Sequence, residues 1–578
     1  MNFKNLSEYF KKIEETPSRL EMTRLLAELF NKIHADEIDK VIYLLQGRLC
    51  PTFTKLDFGL GEKMILRAAA RSLNIEAKHF MNSYNKIGDI GKTVEEFKKD
   101  IMTIGERDMT IVEVFTMLEK IAHASGDGSQ EVKIGVLSEL IQTLDPLSTR
   151  YVVRIPAGTL RLGFSDMTML DSFSWMVAGN KSLRPTLEKA YQVRPDLGYL
   201  GKRIKAKGVQ NIDDIEPEVF TPIIMMKAQR LSTIGEIVEK IGESIIEPKY
   251  DGFRLQVHYR NHNKQKTVKL FSRSLEDVTY MYPDIVEGVK KEIKAKEIIF
   301  EGEAIGFDPY TGNFLPFQQT VQRKRKYDIE EKAQEIPLRM FAFELLFLNG
   351  TSCINKPFSE RLTTLRKLIK ISGDIFKDTL LPTEERKAND KKVIEKMFEE
   401  AVSRGLEGIM IKKLDGRYQP GARGWNWIKY KRTHSNKVTD TFDCLVMGYD
   451  YGKGDRAKFG IGAFLVGVYD DKSDTFKTVA KVGSGPTEEE WKDIKKRLDR
   501  FQTKNKPALY EVHKNTQSDI WVKPSIVVEI QADEITVSPM HSSGYALRFP
   551  RLKGMRDDKK PQDATTVSEL LEIAKPQK

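Results

Sequence analysis

Along the first 210 residues apolar positions recur every three or four residues. The stretch EVKIGVLSELIQTLDP carries them at Val132, Val136, Leu137, Leu140, Ile141 and Leu144, one stripe of a helix. SRLEMTRLLAELFNKI and MTIVEVFTMLEKIA repeat the stripe, so the region is predicted to be almost wholly helical. A basic, acid-free segment, GKRIKAKGVQN (201–211), closes it, and the acidic NIDDIEPEVFTP follows as a linker. From about 220 to 435 the period shortens. KEIIFEGEAIGFD and LRMFAFELLFLNG read as strands, and DKKVIEKMFEEAVSRG reads as a helix. Beyond about 440 come short strands with glycine turns, FDCLVMGYDYGKG, GAFLVGVYDD, FKTVAKVGSG and SIVVEIQADEITVS, the pattern of a small barrel.

The expected organisation is therefore a helical domain over 1–215, a mixed strand-and-helix domain over 216–438 and a β-barrel over 439–578. A chain of 578 residues is too long for one core, which agrees with several domains. No run approaches the ~18–20 apolar residues of a membrane span. The opening MNFKNLSEYFKKIEE lacks the apolar centre of a signal peptide, so a cytoplasmic protein without a membrane partner is expected. Three scattered cysteines (Cys50, Cys353 and Cys444) have no histidines at zinc spacing, which excludes a disulfide framework and a cysteine-based zinc module. The net charge of +11 is compatible with a polyanionic partner without requiring one.

Two motifs mislead. IGDIGKT (87–93) resembles the end of a phosphate-binding loop, but the first glycine would fall on Lys86. It reads better as a helix start with Thr93 as N-cap and Glu96 completing a capping box. KVGSGPTEEEW likewise reads as a turn and a helix opened by Thr487 and Glu490. RKRKY (323–327) has the composition of a nuclear-import patch, which is common in basic chains.

The stretch EPKYDGFRLQVHY (247–259) carries the chemistry. After Lys249 the chain alternates, with Phe253, Leu255, Val257 and Tyr259 on one face and Arg254, Gln256, His258 and Arg260 on the other. This predicts a half-buried strand opened by an Asp251-Gly252 turn. A lysine with the ordinary pKa of ~10.4 is no nucleophile at neutral pH; lowering it by ~3 units takes roughly 4 kcal/mol of environment. Burial at a strand end, nearby cations or a metal can supply that, and the turn gives a fixed direction of attack. Taken alone, K-x-D-G is a solvated turn. The longer K-x-D-G-x-R is expected by chance in fewer than about 1 in 100 chains of this length.

EPKYDGFR resembles the nucleotide-attachment motif of covalent nucleotidyltransferases, in which the lysine takes up a nucleoside monophosphate. Further motifs of that superfamily follow in order. FSRSLEDVT resembles the segment whose arginine, here Arg273, contacts nucleotide and DNA, and FEGEA resembles the ribose- and metal-contacting motif, pointing to Glu303. MFAFELLFLNG resembles the strand with the base-stacking aromatic, Phe343; Glu344 stands where the family usually has aspartate. GLEGIMIKK resembles the motif supplying a metal-binding carboxylate, Glu407, with Lys412 near phosphate. WNWIKYKR resembles the motif with two phosphate lysines, Lys429 and Lys431, and Arg423 lies just upstream. LRFPRLKGMRDDKKP resembles the last motif, whose basic residues orient pyrophosphate.

Together these resemble an ATP-dependent DNA ligase of the archaeal and eukaryotic replicative type. The resemblance implies an all-α DNA-binding domain, an α+β adenylation domain and a C-terminal OB-fold. It implies ATP and Mg2+ as cofactors, and nicked double-stranded DNA as partner in replication, repair and recombination. Lys249 would attack the α-phosphate of ATP, the AMP would move to the 5′-phosphate of a nick, and the 3′-hydroxyl would then seal the strand. Glu303 and Glu407 would hold the metal, while Arg254, Lys429, Lys431 and Arg423 would bind phosphate or sugar. Glu247, two residues before the lysine, suits hydrogen bonding near the adenine. A monomer is expected, with hinges near 215 and 438. The usual glutamine-led sliding-clamp ligand is absent, so clamp binding stays open. Guanylyltransferases and RNA ligases share K-x-D-G but lack the long helical region, and an inactive nucleic-acid clamp would not keep Lys249, Glu303, Glu407 and Lys429.

Overall fold

Among the described residues the three-to-four periodicity becomes twelve α-helices between Phe3 and Lys207. The computed structural model describes residues 1–100, 106–160, 162–231, 233–315, 317–325, 328–431, 441–452, 454–532 and 534–574. Helix Ser129–Thr143 buries Val136, Leu137, Leu140 and Ile141 as the stripe requires, whereas Val132 is 45% exposed. Helices Arg19–Lys32 and Asp166–Ala178 pack through Phe30 and Phe173, whose ring centres are 5.3 Å apart. Glu14 ties the first helix to the ninth, accepting from Arg150 at 2.7 Å and from the Tyr151 hydroxyl at 2.8 Å.

The chain divides into two compact units, Met1–Asn74 with Phe97–Arg432, and Ile75–Glu96 with Thr433–Lys578. In the first unit eleven strands follow the helices. They are β1 (Lys227–Arg230), β2 (Ser244–Lys249), β3 (Phe253–His262), β4 (Gln265–Phe271), β5 (Glu297–Gly306), β6 (Leu338–Leu348), β7 (Thr351–Ser352), β8 (Leu380–Pro382), β9 (Arg386–Ala388), β10 (Gly408–Lys413) and β11 (Arg423–Lys431). One sheet runs β1-β11-β10-β2-β9 and the other β4-β3-β5-β6-β7, with β8 beside β6. Ile246, Ile409, Ile411 and Ile428 of the first sheet share one core with Ile305 and Phe341 of the second. Tyr250, between Lys249 and the turn, stacks on Phe341 with ring centres 4.0 Å apart. The K-x-D-G turn is thus the crossing point between two packed sheets.

Strand β3 is not half-buried. Gln256 and His258, on its polar side, are each 0% exposed. The segment before β1 covers them: Ile223 N–H donates to Gln256 Oε1 at 2.7 Å, and Phe220 N–H donates to His258 Nδ1 at 2.9 Å. Alternation read the strand correctly but not its cover, which lies over 30 residues upstream. The same segment meets the helices, since Arg194 pairs with Glu218 at 2.9 Å and Ile224 N–H donates to the Gln192 carbonyl at 2.9 Å. The hinge expected near 215 therefore borders a segment tied on both sides; the one expected near 438 lies outside the described residues.

In the second unit β12 (Thr441–Asp450), β13 (Ala463–Asp470) and β14 (Thr475–Val482) form an antiparallel meander, extended beside β12 by Val527–Gln531 and then Arg551–Met555. Helix Glu488–Asp499 opens with the Thr487–Glu490 capping box read from the sequence. The other box fails: the helix spans Ile90–Lys99, Asp89 accepts from Lys92 N–H at 2.9 Å, and Thr93 lies inside, its hydroxyl bonding the Asp89 carbonyl at 2.8 Å. Arg323, first of the basic run RKRKY, is 2% exposed and held by Asp284 at 2.8 Å, so it is not part of a surface patch; residues 326–327 of that run lie outside the described residues.

Candidate functional site

Backbone register assembles the site. Lys249, the last residue of β2, pairs with Gly408 of β10, and Gly408 pairs with Lys431 of β11. One row further in, Glu247 pairs with Met410, Met410 with Lys429, and Lys429 with Arg230 of β1. Paired residues on neighbouring strands share a face, so both rows present their side chains on one side of the sheet. Gly408 has φ +143°, and a Cβ there would strike the Tyr430 carbonyl, which makes glycine necessary between the two lysines. Gly252 is required for another reason: its Cα passes against the Ala304 carbonyl of β5.

Glu407, in the turn before β10, contacts both Lys249 and Lys431, the latter at 2.7 Å. Burial would raise its pKa, but Lys249 and Lys431 hold it below the usual carboxylate range. Glu303 lies opposite Arg254 in the β3–β5 ladder. Burial pushes its carboxyl up to about 7; Lys249 and Arg254 oppose the rise, and Glu407 and Asp251 reinforce it. Asp251 rises to about 6 through burial and the neighbouring Glu407. Three carboxylates thus crowd around Lys249. Among the described residues no group of three or more ligating side chains forms a closed metal cage. A hard divalent cation that keeps waters and shares phosphate oxygens needs only one or two carboxylates, and Glu303 and Glu407 are two that flank Lys249.

Phe343 is half-buried beside Trp427, ring centres 6.1 Å apart and edge to face. The Arg254 guanidinium lies 5.5 Å from the Phe343 ring; it donates to Glu301 at 2.6 Å and to the Met226 carbonyl at 2.7 Å. Lys412, expected near phosphate, is instead 1% exposed. It pairs with Glu247 at 2.7 Å and lies 4.6 Å from the ring centres of both Phe343 and Trp427. The phosphate expectation fails because this residue neutralises a buried acid. Burial pushes Glu247 up to about 7 against the pull of Lys412. Glu247 Oε1 and Arg254 Nε are buried with no hydrogen-bond partner. Buried groups left so cost roughly 1–3 kcal/mol each, and both lie within one residue's reach of Phe343. Glu344 is fully buried and paired with Arg361, at 2.7 Å and 2.8 Å.

Lys429 is pushed down to about 8 by burial and by Arg230, Lys431, Lys249 and Arg423. Arg423, at the start of β11, and Arg273, in the turn after β4, are exposed. Arg273 follows the end of β4 that pairs with the start of β3. The structure therefore brings together Lys249, Glu303, Glu407, Lys429, Lys431 and Arg423, sets Glu247, Arg254 and Phe343 around a second pole, and leaves Arg273 at the edge. Sequence reasoning passed over Arg230, Asp251, Glu301 and Tyr418. Two of these had a signal, since Asp251 stands inside the K-x-D-G motif and Glu301 inside FEGEA, whereas Arg230 and Tyr418 stand in no motif. In the second unit, Arg556 and Lys559 of the last motif are bound by Asp443, at 2.9 Å and 2.5 Å.

Three family profiles match the chain in order: "DNA ligase N terminus" over residues 2–174, "ATP dependent DNA ligase domain" over 225–431 and "ATP dependent DNA ligase C terminal region" over 457–559. A probable DNA ligase of Dictyoglomus turgidum is 46% identical over 586 aligned residues, covering 100% of this chain and 98% of its own. DNA ligase 2 of Thermofilum pendens is 41% identical, covering 99% and 97%. The DNA ligase of Saccharolobus solfataricus is 38% identical, also covering 99% and 97%. Among solved structures, one titled Pmar-Lig_PreS3 is similar in fold, with a TM-score of 0.54 at 17% identity over 95% of this chain and 99% of that one.

Proposed function

The chain belongs to the ATP-dependent DNA ligase family, with its N-terminal helical region and β-rich C-terminal regions, and from that premise we propose that Lys249 is the residue that carries AMP. Sealing nicks in duplex DNA through an adenylated intermediate is the activity of that family. The observation that carries the assignment is the position of Lys249 at a strand end, touching Glu407, with Lys431 across one strand and Glu303 above.

In the first step the Nζ lone pair of deprotonated Lys249 attacks the α-phosphorus, the bond to the bridging oxygen breaks, pyrophosphate departs with that electron pair, and Nζ gives up one further proton to solvent. A phosphoramidate remains. A 5′-phosphate oxygen of the nick then displaces lysine from the AMP, and Nζ takes back a proton. The 3′-hydroxyl loses its proton to solvent as its oxygen attacks the activated 5′-phosphate, the phosphoanhydride bond breaks, and AMP leaves with that electron pair. Little covalent work falls to the protein beyond Lys249, so positioning and charge neutralisation set the rate. Phe343 would stack on the base, Glu247 Oε1 would accept from the adenine amino group, and Arg254 Nε would donate to the sugar. Lys429, Lys431 and Arg423 would neutralise phosphate, and Arg273 would meet nucleotide and DNA. Glu303 and Glu407 would hold Mg2+, which supplies Lewis-acid neutralisation of the developing charge. The domains are read as a DNA-binding domain over 1–215, an adenylation domain over 216–438 and an OB-fold over 439–578. The protein would act as a monomer inside the cell, in replication, repair and recombination.

The test is label uptake. With ATP labelled at the α-phosphate and magnesium, the wild type should gain an acid-labile label that nicked DNA discharges, and Lys249→Ala should gain none. Label taken from GTP alone would move the assignment to a guanylyltransferase; no label from either nucleotide would end it.

A further inference from the structure

The row of side chains that ends at Glu247 begins at a residue no motif contains. Arg230 closes β1, the edge strand of the first sheet, in parallel register with Lys429. Being paired, the two side chains stand on the same face. Neighbouring strands are about 4.8 Å apart, so Arg230 lies one strand beyond Lys429 and about three strands from Glu247. Cations thus fan outward from Lys249: Lys431 two strands away, Lys429 one residue-pair further along β11, and Arg230 at the edge. Glu407 neutralises only the inner end, Lys249 and Lys431. Among the described residues no carboxylate lies within ion-pair distance of Arg230, Arg423 or Lys429. Arg230 is also exposed, so its guanidinium is accessible to a ligand. The depressed pKa of Lys429, to which Arg230 contributes, agrees with unbalanced positive charge at this end.

We propose that Arg230 binds the β- and γ-phosphates of ATP, and hence the departing pyrophosphate, at the outer end of the cationic row. The inference rests on Lys249 as the site of AMP attachment. In-line displacement puts the leaving group opposite the attacking atom. The uncompensated cations are the ones farther from Lys249, as a polyanionic leaving group requires. Arginine suits this position because its planar fork can hold two phosphate oxygens at once.

Arg230→Ala and Arg230→Lys should be compared with the wild type in three assays. The first is label uptake against ATP concentration. The second is pyrophosphate-driven release of AMP from the labelled enzyme. The third is sealing of a nick that already carries AMP on its 5′-phosphate, a step without pyrophosphate. Loss of one charge-assisted contact should raise the half-saturating ATP and pyrophosphate concentrations of Arg230→Ala by about 10- to 100-fold. Arg230→Lys should recover part of the loss, and sealing of the pre-adenylated nick should stay within about twofold of wild type. Unchanged ATP and pyrophosphate dependence would overturn the proposal. A loss in the third assay with weaker binding of nicked DNA would make Arg230 a DNA contact instead. An equal loss in all three, unrelieved by lysine and accompanied by a lower melting temperature, would make it structural. Failure of the wild type to take up label would remove the Lys249 assignment itself, a separate outcome.

Discussion

Glu303 sits where burial and two neighbouring carboxylates oppose the charge its proposed role requires. Its pKa, pushed to about 7, means that the carboxylate form is lost as pH falls through neutrality. Holding a cation needs that form, so the sign is fixed: adenylation at limiting magnesium should fall below about pH 7 and level off above it. A bound cation favours the carboxylate and lowers its pKa. Raising magnesium should therefore move the midpoint of the pH–rate curve to lower pH. Rapid-mixing measurements of label uptake at several magnesium concentrations would show this, and a midpoint indifferent to magnesium would remove Glu303 from the cation site. At this scale the sequence was informative wherever chemistry forces a local pattern, as at Lys249, Glu303 and Glu407. It gave no sign of Arg230, because KAQR is an unremarkable edge strand until register sets it beside Lys429. Nor could it show that Lys412 serves Glu247, since that needs two strands in place.

Strand β3 shows how an element can be recognised while its surroundings are missed. Its alternation is real, but the polar side is packed into a buried network. Glu301, 0% exposed, accepts from Arg254 at 2.6 Å, from Gln256 at 3.1 Å and from the Tyr418 hydroxyl at 3.1 Å. Tyr418 in turn accepts from Met226 N–H at 2.8 Å, and burial pushes His258 down to about 3, so the ring stays neutral and can accept from Phe220 N–H. The network fastens the segment entering the two-sheet region to the strand that follows Lys249. It also fixes Arg254 beneath Phe343. Replacing Tyr418 with Phe would leave Met226 N–H buried without a partner and deprive Glu301 of a donor. That should cost about 1–3 kcal/mol in urea unfolding. Tyr310→Phe is the control, since Tyr310 is 94% exposed and should change nothing measurable. If both variants unfold alike, the network does not hold the segment.

For the whole molecule, the order of a helical region, a mixed region and a β-rich end was plain from period alone. The grouping of Ile75–Glu96 with the C-terminal unit was not. It depends on a close approach, where the helix ending at Gly88, with φ +72°, meets Ala457, and a local pattern carries no record of a neighbour 369 residues away. Net charge is a property of the whole chain, and its consequence belongs at this scale. An excess of +11 does not choose a base sequence, but it favours a backbone of phosphates. Each phosphate neutralised releases condensed counterions, so log affinity falls with log salt by about 0.9 per contact. If the helical region and the β-rich end both track the duplex, about six or more contacts form, and the slope should be about −5 or steeper. Nicked duplexes of unrelated sequence should give the same slope and nearly the same affinity, because phosphate contacts carry no base information. Titration by fluorescence anisotropy from low to moderate salt, with Lys249→Ala to block turnover, would measure both. A slope near −1 would confine recognition to the nick and its 5′-phosphate, and the charge excess would then serve solubility rather than binding.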